Sequence, residues 1–255
     1  MLLTIDTGNT ETVLGLFDGT TLVSHWRLST NAERTSDEHA MVVSQLLDLE
    51  GYDFESQVTG IAISSTVPSL TATLRQMTTR WFNKVPAVVL EPGVRTGMPI
   101  LYDNPKEVGA DRIANSVGAF ELYGGPTVCV DFGTATTFDC ISAKGEYLGG
   151  AILPGIGISM DALFGRAAAL RQVELVEPRN VIGKSTVESI QSGAVYGFSG
   201  SVDAIVKRIE VELGECHVVA TGGLSGLIEP LSTTIQHHEP WITLHGLRII
   251  FERNQ

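Results

Sequence analysis

Two short segments of the chain combine an aspartate with glycine and threonine directly after an apolar run. Residues 6–10 read Asp-Thr-Gly-Asn-Thr, and residues 131–137 read Asp-Phe-Gly-Thr-Ala-Thr-Thr. In each, a short strand delivers an Asp to a glycine that permits close backbone approach, and hydroxyl and amide groups supply donors. A carboxylate can hold Mg²⁺ or another cation, while N–H and O–H donors meet phosphate oxygens. This chemistry suits a polyphosphate with its metal ion.

Each of these turns also has a simpler interpretation, because Asp-x-Gly after a strand is an ordinary tight turn that caps its own backbone. Taken singly, either turn favours that structural interpretation. Their repetition after comparable strands, about half the chain apart, favours a single nucleotide bound from two sides.

A third segment, residues 102–112, places Asp111 and Arg112 side by side at the predicted start of a helix that continues through residues 114–122. A helix start carries partial positive charge and free N–H groups. Asp111 could act as a base toward a substrate hydroxyl, and Arg112 could clamp a carboxylate or phosphate. The alternative is a helix cap and a surface ion pair, and the residues alone leave the two interpretations equal.

Other glycine and histidine positions give weaker signals. The turn Thr221-Gly222-Gly223-Leu224 could let a flat base lie against the backbone, whereas the glycine-rich run 149–157 lacks the Lys-Ser/Thr of a Walker loop and indicates close packing or a hinge. His237 and His238 are expected in a polar surface loop without metal-ligand spacing.

The composition indicates a globular protein, with 43% hydrophobic and 18% charged residues in a chain of 255. A net charge of −12 argues against nucleic acid and anionic membranes as partners, so an anionic substrate would need a locally positive pocket. Three cysteines without Cys-x-x-Cys spacing indicate buried thiols rather than disulfides or zinc. No run of apolar residues is long enough to span a bilayer, and the first residues lack the pattern of a signal peptide, so we expect a cytoplasmic protein.

The order of predicted elements repeats. Each half begins with a meander of three strands and continues with a helix, a strand and a further helix. In the first half the strands are predicted at 2–5, 12–17, 21–28, 60–65 and 87–90, with helices at 36–49 and 69–82; in the second half the strands are predicted at 127–130, 136–142, 147–153 and 217–220, with helices within 158–170 and 186–213. This repetition predicts an α/β fold of two similar lobes, residues 1–117 and 118–255, around a central cleft.

Taken together, these motifs resemble the type III pantothenate kinases of the sugar kinase, Hsp70 and actin superfamily. The resemblance runs nearly end to end, and its most discriminating part is Gly109-Ala110-Asp111-Arg112 after Asn104-Pro105. It also includes both aspartate turns, Ser64–Pro68, Gly149–Ala151 with Pro154-Gly155, Ile182–Lys184 with Thr186, Thr221–Gly223, and Leu244 with Gly246-Leu247.

The resemblance implies phosphorylation of pantothenate by ATP, the first step toward coenzyme A, in a homodimer with a duplicated ribonuclease H-like fold whose second lobe carries the dimer interface. It implies that Asp111 is the catalytic base and that Asp131 is the ligand of a monovalent cation, K⁺ or NH₄⁺. It also implies that Asp6 binds Mg²⁺, directly or through water. The implied ATP-binding residues are Asp6, Thr7, Gly8, Asn9, Thr10, Glu11, Thr12, Val13 and Thr134, and the implied pantothenate-binding residues are Tyr102, Gly109, Ala110, Asp111, Arg112 and Thr186.

Two departures from the family pattern lie in the region expected to cover the partner subunit's pocket. Residues 166–171 read Arg-Ala-Ala-Ala-Leu-Arg where members often have Arg-Thr-Ala-x-Leu-Pro, and Ser185 stands where Asn commonly precedes the binding threonine. Two alternatives remain open at this point: a kinase of another small hydroxy acid, and a non-catalytic regulator that binds nucleotide or pantothenate.

Overall fold

The computed structural model describes residues 1–167 and 170–255, and these residues form two compact units. The first unit comprises Met1–Gly118 and Ile242–Gln255, and the second comprises Ala119–Trp241. Ala168 and Ala169, which belong to the departure at 166–171, lie outside the described residues.

The first unit contains a five-stranded sheet made of β1 (Leu2–Thr7), β2 (Glu11–Asp18), β3 (Thr21–Ser29), β4 (Gly60–Ser65) and β5 (Ala87–Val89). The strand order is β3-β2-β1-β4-β5. The first three strands pair antiparallel as a meander, and β4 lies parallel to β1 and β5.

Four helices lie between or after these strands in residues 1–123. They are α1 (Ser36–Leu49), α2 (Phe54–Gln57), α3 (Pro68–Arg80) and, after a 3₁₀ turn at Pro105–Glu107, α4 (Ala110–Tyr123), within which the first unit ends. Thr35 and Glu38 form a capping box that fixes the start of α1. Alternate residues of β1, including Leu3 and Ile5, enter a core that they share with α1 and α3.

The second unit repeats this architecture. Its strands are β6 (Thr127–Phe132), β7 (Ala135–Ile141), β8 (Tyr147–Pro154), β9 (His217–Thr221) and β10 (His237–His238), and its helices are α5 (Ile156–Arg166), α6 (Thr186–Leu213) and α7 (Ser225–Ile228), with a 3₁₀ turn at Glu229–Leu231. The sheet order β10-β9-β6-β7-β8, taken from its other edge, matches the order of the first sheet strand for strand. The predicted α/β fold with two similar lobes is therefore confirmed.

The last helix, α8 (Ile242–Glu252), lies with the first unit, whereas the sequence assigned residues 118–255 to the second lobe. It packs on β1, β2 and β4, and most of its residues are buried, including Leu247 and Ile250. Because α8 is apolar around most of its circumference, it needs the cover of a sheet.

The expectation of a polar loop at His237 and His238 is wrong. These residues form β10, which pairs parallel with β9 through His237–Val219 and His238–Ala220. A strand of this length has too short an alternation to be recognised from sequence. Within the described part of the chain, no helix combines the length and the apolar character needed to cross a membrane.

Candidate active site

Asp6 occupies the last but one position of β1, where the sheet of the first unit ends. It pairs with Val13 of β2 and with Ser64 of β4. The Ser64 hydroxyl donates a 2.6 Å hydrogen bond to Asp6 Oδ1. The carboxylate is half-buried, and one of its oxygens is held by the neighbouring strand β4 near the carboxyl end of β1.

The loop after Asp6 is a narrow hairpin held by hydrogen bonds. The Gly8 N–H donates to Glu11 O over 2.9 Å, and the Thr30 hydroxyl donates to Gly8 O over 2.8 Å. Asn9, Thr10 and Glu11 are exposed at its tip. A phosphate group could therefore reach the backbone and side chains of this tip.

Two of the threonines predicted in this phosphate loop point into the protein. Thr7 and Thr12 are 0% and 4% exposed. The Thr12 hydroxyl lies 2.9 Å from that of Thr30, and the Thr7 hydroxyl has no hydrogen-bond partner among the residues that the structure describes. Any contact of these two residues with a ligand at the surface would therefore involve their backbone.

Asp131 holds the same place in the second sheet as Asp6 does in the first. It pairs with Thr137 of β7 and with Thr221 of β9. The Gly222 backbone, directly after β9, lies close to it: a side-chain carbon at Gly222 would overlap Asp131 Oδ1 and lie 2.6 Å from the Phe132 nitrogen. Gly222 also has a φ of +91°, which only glycine adopts readily.

The turn that follows Asp131 meets the start of α5. Gly133 N–H donates to Ala135 O over 3.1 Å, and Gly155 N–H, at the N-cap of α5, donates to Thr134 O over 3.0 Å. Thr134 is exposed, and α5 begins without a side-chain cap. An exposed hydroxyl beside uncapped helical N–H groups is suited to an anion.

The third predicted segment ends in the first turn of α4, which contains Asp111 and Arg112. Asp111 Oδ1 accepts a 2.8 Å hydrogen bond from the Arg112 N–H. A side-chain carbon at Gly109 would overlap the same oxygen, so glycine at this position is what lets the carboxylate fold back over the turn. Arg112 is only 9% exposed, and this burial rules out the surface ion pair that the sequence left open.

The protonation of Asp111 is also perturbed. Burial raises the pKa of its carboxyl group above the ordinary value of 3.8, and this effect is opposed by the Arg112 N–H and by the guanidinium charge. A carboxylate whose proton affinity has been increased is a better general base than an exposed one, provided that it is ionised at the working pH.

A cavity of about 810 Å³ opens beside this turn. It is lined by the end of β4, the start of α3, a loop between Leu90 and Ile100, and the 3₁₀ turn, and it includes Gly109 and Ala110. Lys106 lies on its wall together with Glu91 and Glu107. Tyr102, also predicted to bind substrate, is half-buried in the same unit. Tyr102, Asp111 and Arg112 are not among the residues that line this cavity, which reaches α4 through Gly109, Ala110 and Ile113.

Thr186 is the first residue of α6 and belongs to the second unit. It is exposed, and the preceding Ser185 caps the helix by accepting a 3.2 Å hydrogen bond from the Glu188 N–H. Serine and asparagine are comparable N-caps, so the Ser185 departure keeps the start of α6 intact.

Among residues 1–167 and 170–255, no group of three or more His, Cys, Asp or Glu side chains is arranged to hold a metal ion. Mg²⁺ commonly binds through one or two carboxylates, with waters and substrate phosphates completing its shell, so Asp6 by itself fits such an ion. Asp131 offers a carboxylate pressed against the Gly222 backbone, an oxygen donor of the kind that hard cations prefer.

Sequence reasoning gave no separate role to a second carboxylate on the Asp131 face of the sheet. Asp139 of β7 is fully buried and accepts a 2.9 Å hydrogen bond from the hydroxyl of Tyr147, itself fully buried. Burial and the charges of Asp139 and Asp131 raise the pKa of the Cys129 thiol well above its usual range. Asp139 lies two residues after Thr137, the partner of Asp131, so the two-residue period of β7 puts it on the same face, and this spacing was the signal that could have identified it.

The chain matches known proteins along most of its length. A family model described as type III pantothenate kinase matches residues 2–208. The type III pantothenate kinase of Streptomyces griseus subsp. griseus is 57% identical over 100% of this chain and 98% of that protein, and the one of Moorella thermoacetica is 54% identical over the full length of both.

Solved structures with lower identity share the fold. The activator of the 2-hydroxyisocaproyl-CoA dehydratase from Clostridium difficile gives a TM-score of 0.58 at 13% identity, covering 99% of this chain and 95% of that one. The inorganic polyphosphate/ATP-glucomannokinase from Arthrobacter sp. strain KM gives 0.53 at 14% identity, covering 100% and 99%. These structures show the shared fold, and the family model with the full-length relatives establishes that the chain belongs to the type III pantothenate kinase family.

Proposed function

We propose that this chain transfers the γ-phosphoryl group of ATP to the primary hydroxyl of pantothenate, giving 4′-phosphopantothenate and ADP at the first step of coenzyme A biosynthesis. The observation that carries the proposal is the first turn of α4, where a carboxylate of raised pKa is held over Gly109 by the N–H of a buried arginine. Membership of the family makes pantothenate the acceptor to test first.

In this proposal Asp111 takes the proton of the pantothenate hydroxyl as its oxygen attacks the γ-phosphorus. The bond from that phosphorus to the bridging oxygen of ADP breaks as the new P–O bond forms, so no covalent enzyme intermediate is needed. The catalytic contribution of the chain is then to hold the hydroxyl, the base and the phosphate in line. Folding of the Asp111 carboxylate over Gly109 supplies part of this order before substrate binds.

The remaining substrate contacts follow from the same segment. The buried guanidinium of Arg112 is the natural partner of the pantothenate carboxylate. The cavity beside Gly109 and Ala110 has ample volume for a small hydroxy acid. Lys106 and the starts of α3 and α4 contribute positive potential to a wall that also carries Glu91 and Glu107. Tyr102 and Thr186 are the further pantothenate contacts proposed from the family resemblance.

For the nucleotide, we assign the phosphates to the hairpin tip after Asp6 and to Thr134. The tip exposes Asn9, Thr10 and Glu11, and Thr134 lies beside the uncapped start of α5. Asp6, fixed by Ser64, would hold Mg²⁺, and Asp131 would hold K⁺ or NH₄⁺. Such cations neutralise phosphate charge as it shifts toward ADP.

We also propose that the protein is a homodimer whose interface includes the outer face of β8. Along this edge strand Leu148 and Ile152 are 40% and 62% exposed. The equivalent strand β3 exposes one large apolar side chain, Val23 at 39%, beside His25 and Arg27. The greater apolar exposure of β8 supports the proposal that this edge is covered by another chain.

The proposed reaction is tested by a coupled assay with ATP, Mg²⁺ and K⁺ in which ADP formation is followed with and without pantothenate. We expect ADP formation that depends on pantothenate and requires both cations. A panel of other small hydroxy acids, run at the same concentration, measures selectivity. Folded protein that forms no ADP with pantothenate would contradict the proposal, and faster turnover of another acid would reassign the acceptor.

A further inference from the structure

The last helix of the chain, α8, has no part in the roles assigned so far, although Leu244 and Gly246-Leu247 belong to the family pattern. It lies between two elements of the first unit. On one side it packs on β1 and β4, and β1 carries Asp6 near its end. On another side it contacts α4, whose first turn carries Asp111. α8 therefore separates the strand of the proposed Mg²⁺ ligand from the helix of the proposed base.

The contact of α8 with the sheet is close because two glycines make room for it. A side-chain carbon at Gly15 of β2 would lie 2.8 Å from Leu244 Cδ1, and one at Gly60, the first residue of β4, would overlap the ring of Phe251. Leu244 and Phe251 are 1% and 9% exposed. Because both side chains fill the space above a glycine, α8 is packed tightly at a fixed height over the strands.

The contact of α8 with α4 is made by backbone atoms. Gly246 lies about 200° around the helix from Leu244, at 3.6 residues per turn. A side-chain carbon at Gly246 would overlap the carbonyl oxygen of Ala114, and one at Gly118 of α4 would lie 2.5 Å from the carbonyl oxygen of Ile242. Each helix therefore approaches the other at a residue that has no side chain.

A hydrogen bond joins the two helices at the same level. The Thr243 hydroxyl donates to Asn115 Oδ1 over 2.6 Å, and Asn115 is fully buried. Ala114 and Asn115 follow Asp111 by three and four residues, which is about one helical turn. Because α4 is continuous from Ala110, a displacement of α4 at this crossing would displace the Asp111 carboxylate as well.

We propose that Gly246 is a positioning residue for the reaction: by letting α8 contact the α4 backbone, it sets the distance between the Asp111 carboxylate and the phosphates bound near Asp6. This inference rests on the proposed function, in which Asp111 is the base. A misplacement of about 1 Å can cost about a hundredfold in rate. A methyl group at Gly246 would push α4 away from α8 and leave β1 in place, so it should impair the chemical step rather than nucleotide binding.

The test measures kcat with pantothenate, the affinity for ATP by calorimetry and the Mg²⁺ concentration for half-maximal rate, with folding checked by circular dichroism. Gly246→Ala adds the methyl group at the crossing. Thr243→Val removes only the hydroxyl that bonds Asn115, and Thr243→Ser keeps a hydroxyl. Gly200→Ala is the matched control, since Gly200 is an exposed glycine of α6 at which an added carbon meets no atom within 4 Å.

We expect kcat to fall by about ten- to a hundredfold in Gly246→Ala and by about three- to tenfold in Thr243→Val, as for one hydrogen bond. The ATP affinity and the Mg²⁺ response should stay at wild-type values in both variants. Thr243→Ser and Gly200→Ala should match the wild type in every measurement.

A folded Gly246→Ala with wild-type kcat would overturn the inference, and so would a loss of ATP affinity as large as the loss of kcat. If Gly246→Ala does not fold, Thr243→Val decides, and wild-type kcat in that variant would overturn the inference. Either result in a background of active wild type leaves the proposed function standing, whereas a folded wild type that forms no ADP with pantothenate overturns the proposed function itself.

Discussion

The two sheets place an aspartate at the same point of the same strand order, but they surround it with different groups. Asp6 is held by a side chain, the Ser64 hydroxyl on the adjacent parallel strand. Asp131 lies against the backbone of Gly222, where a side-chain carbon would overlap its Oδ1 and φ is +91°. The two sheets therefore repeat the position of the carboxylate but differ in what the neighbouring parallel strand brings to it, and we expect the two carboxylates to bind different cations.

The largest effect that tests this difference comes from removing each charge in turn. Asp6→Asn should lower turnover by about a hundredfold or more and raise the Mg²⁺ concentration needed for half-maximal rate, because it removes the proposed metal ligand. Asp131→Asn should instead change the response to K⁺. Initial rates measured over separate titrations of the two cations distinguish these results.

Asp18→Asn is the control for this pair, since Asp18 is an exposed carboxylate at the end of β2. It should leave both titrations at wild-type values. If Asp6→Asn and Asp131→Asn alter the response to the same cation and to the same extent, the two turns do not have separate duties.

A smaller effect is expected from the backbone. Gly222→Ala introduces a carbon that overlaps Asp131 Oδ1 at a φ of +91°, so it should lower the free energy of unfolding by about 1–3 kcal/mol. Gly8→Ala, in the first turn, places its carbon 3.2 Å from Glu11 O and requires only a small shift. Urea unfolding of both variants measures the contrast, and equal losses would show that the two turns tolerate a side chain alike.

The smallest effect concerns the pH dependence of stability in the first unit. Burial raises the folded-state pKa of Asp111 above 3.8, so the folded protein retains this proton where the unfolded chain has lost it. The contribution of this carboxyl group to the free energy of unfolding is therefore fully present below its pKa in the unfolded chain. It is lost as the pH rises through its pKa in the folded protein.

Asp111→Asn removes this titration, so the variant should unfold at a higher urea concentration than the wild type at neutral pH. The advantage should shrink as the pH falls below about 4, the ordinary value for aspartate. A variant that is less stable than the wild type at neutral pH would mean that the ionised carboxylate makes contacts worth more than its burial costs.

Much of the fold could be predicted from local patterns in the sequence. The apolar run Leu2-Leu3-Thr4-Ile5 predicts β1, and Ser36–Leu49 is the helix that its apolar stripe indicates. β10 was missed because its pairing with β9 is a long-range contact that two histidines do not signal. α8 was not predicted either, and its cover by β1, β2 and β4 depends on the whole unit.

In the candidate site, too, local sequence patterns predict some residues, whereas contacts between distant strands could not be predicted. Asp6, Asp111 and Asp131 could be identified because aspartate beside glycine after a strand, or beside arginine at a helix start, is a local pattern. The Ser64 bond to Asp6 and the contact of Gly222 with Asp131 arise between strands that are distant in the sequence. The buried side chains of Thr7 and Thr12 likewise follow from strand register, which decides which face of a sheet each residue occupies.

The most direct test of the proposed reaction compares wild type and Asp111→Asn in two measurements on the same samples, pantothenate-dependent ADP formation and ATP binding. If Asp111 is the base that activates the pantothenate hydroxyl, turnover should fall by about a hundredfold or more while the affinity for ATP stays within a fewfold of wild type. A variant that retains wild-type turnover would contradict the central claim.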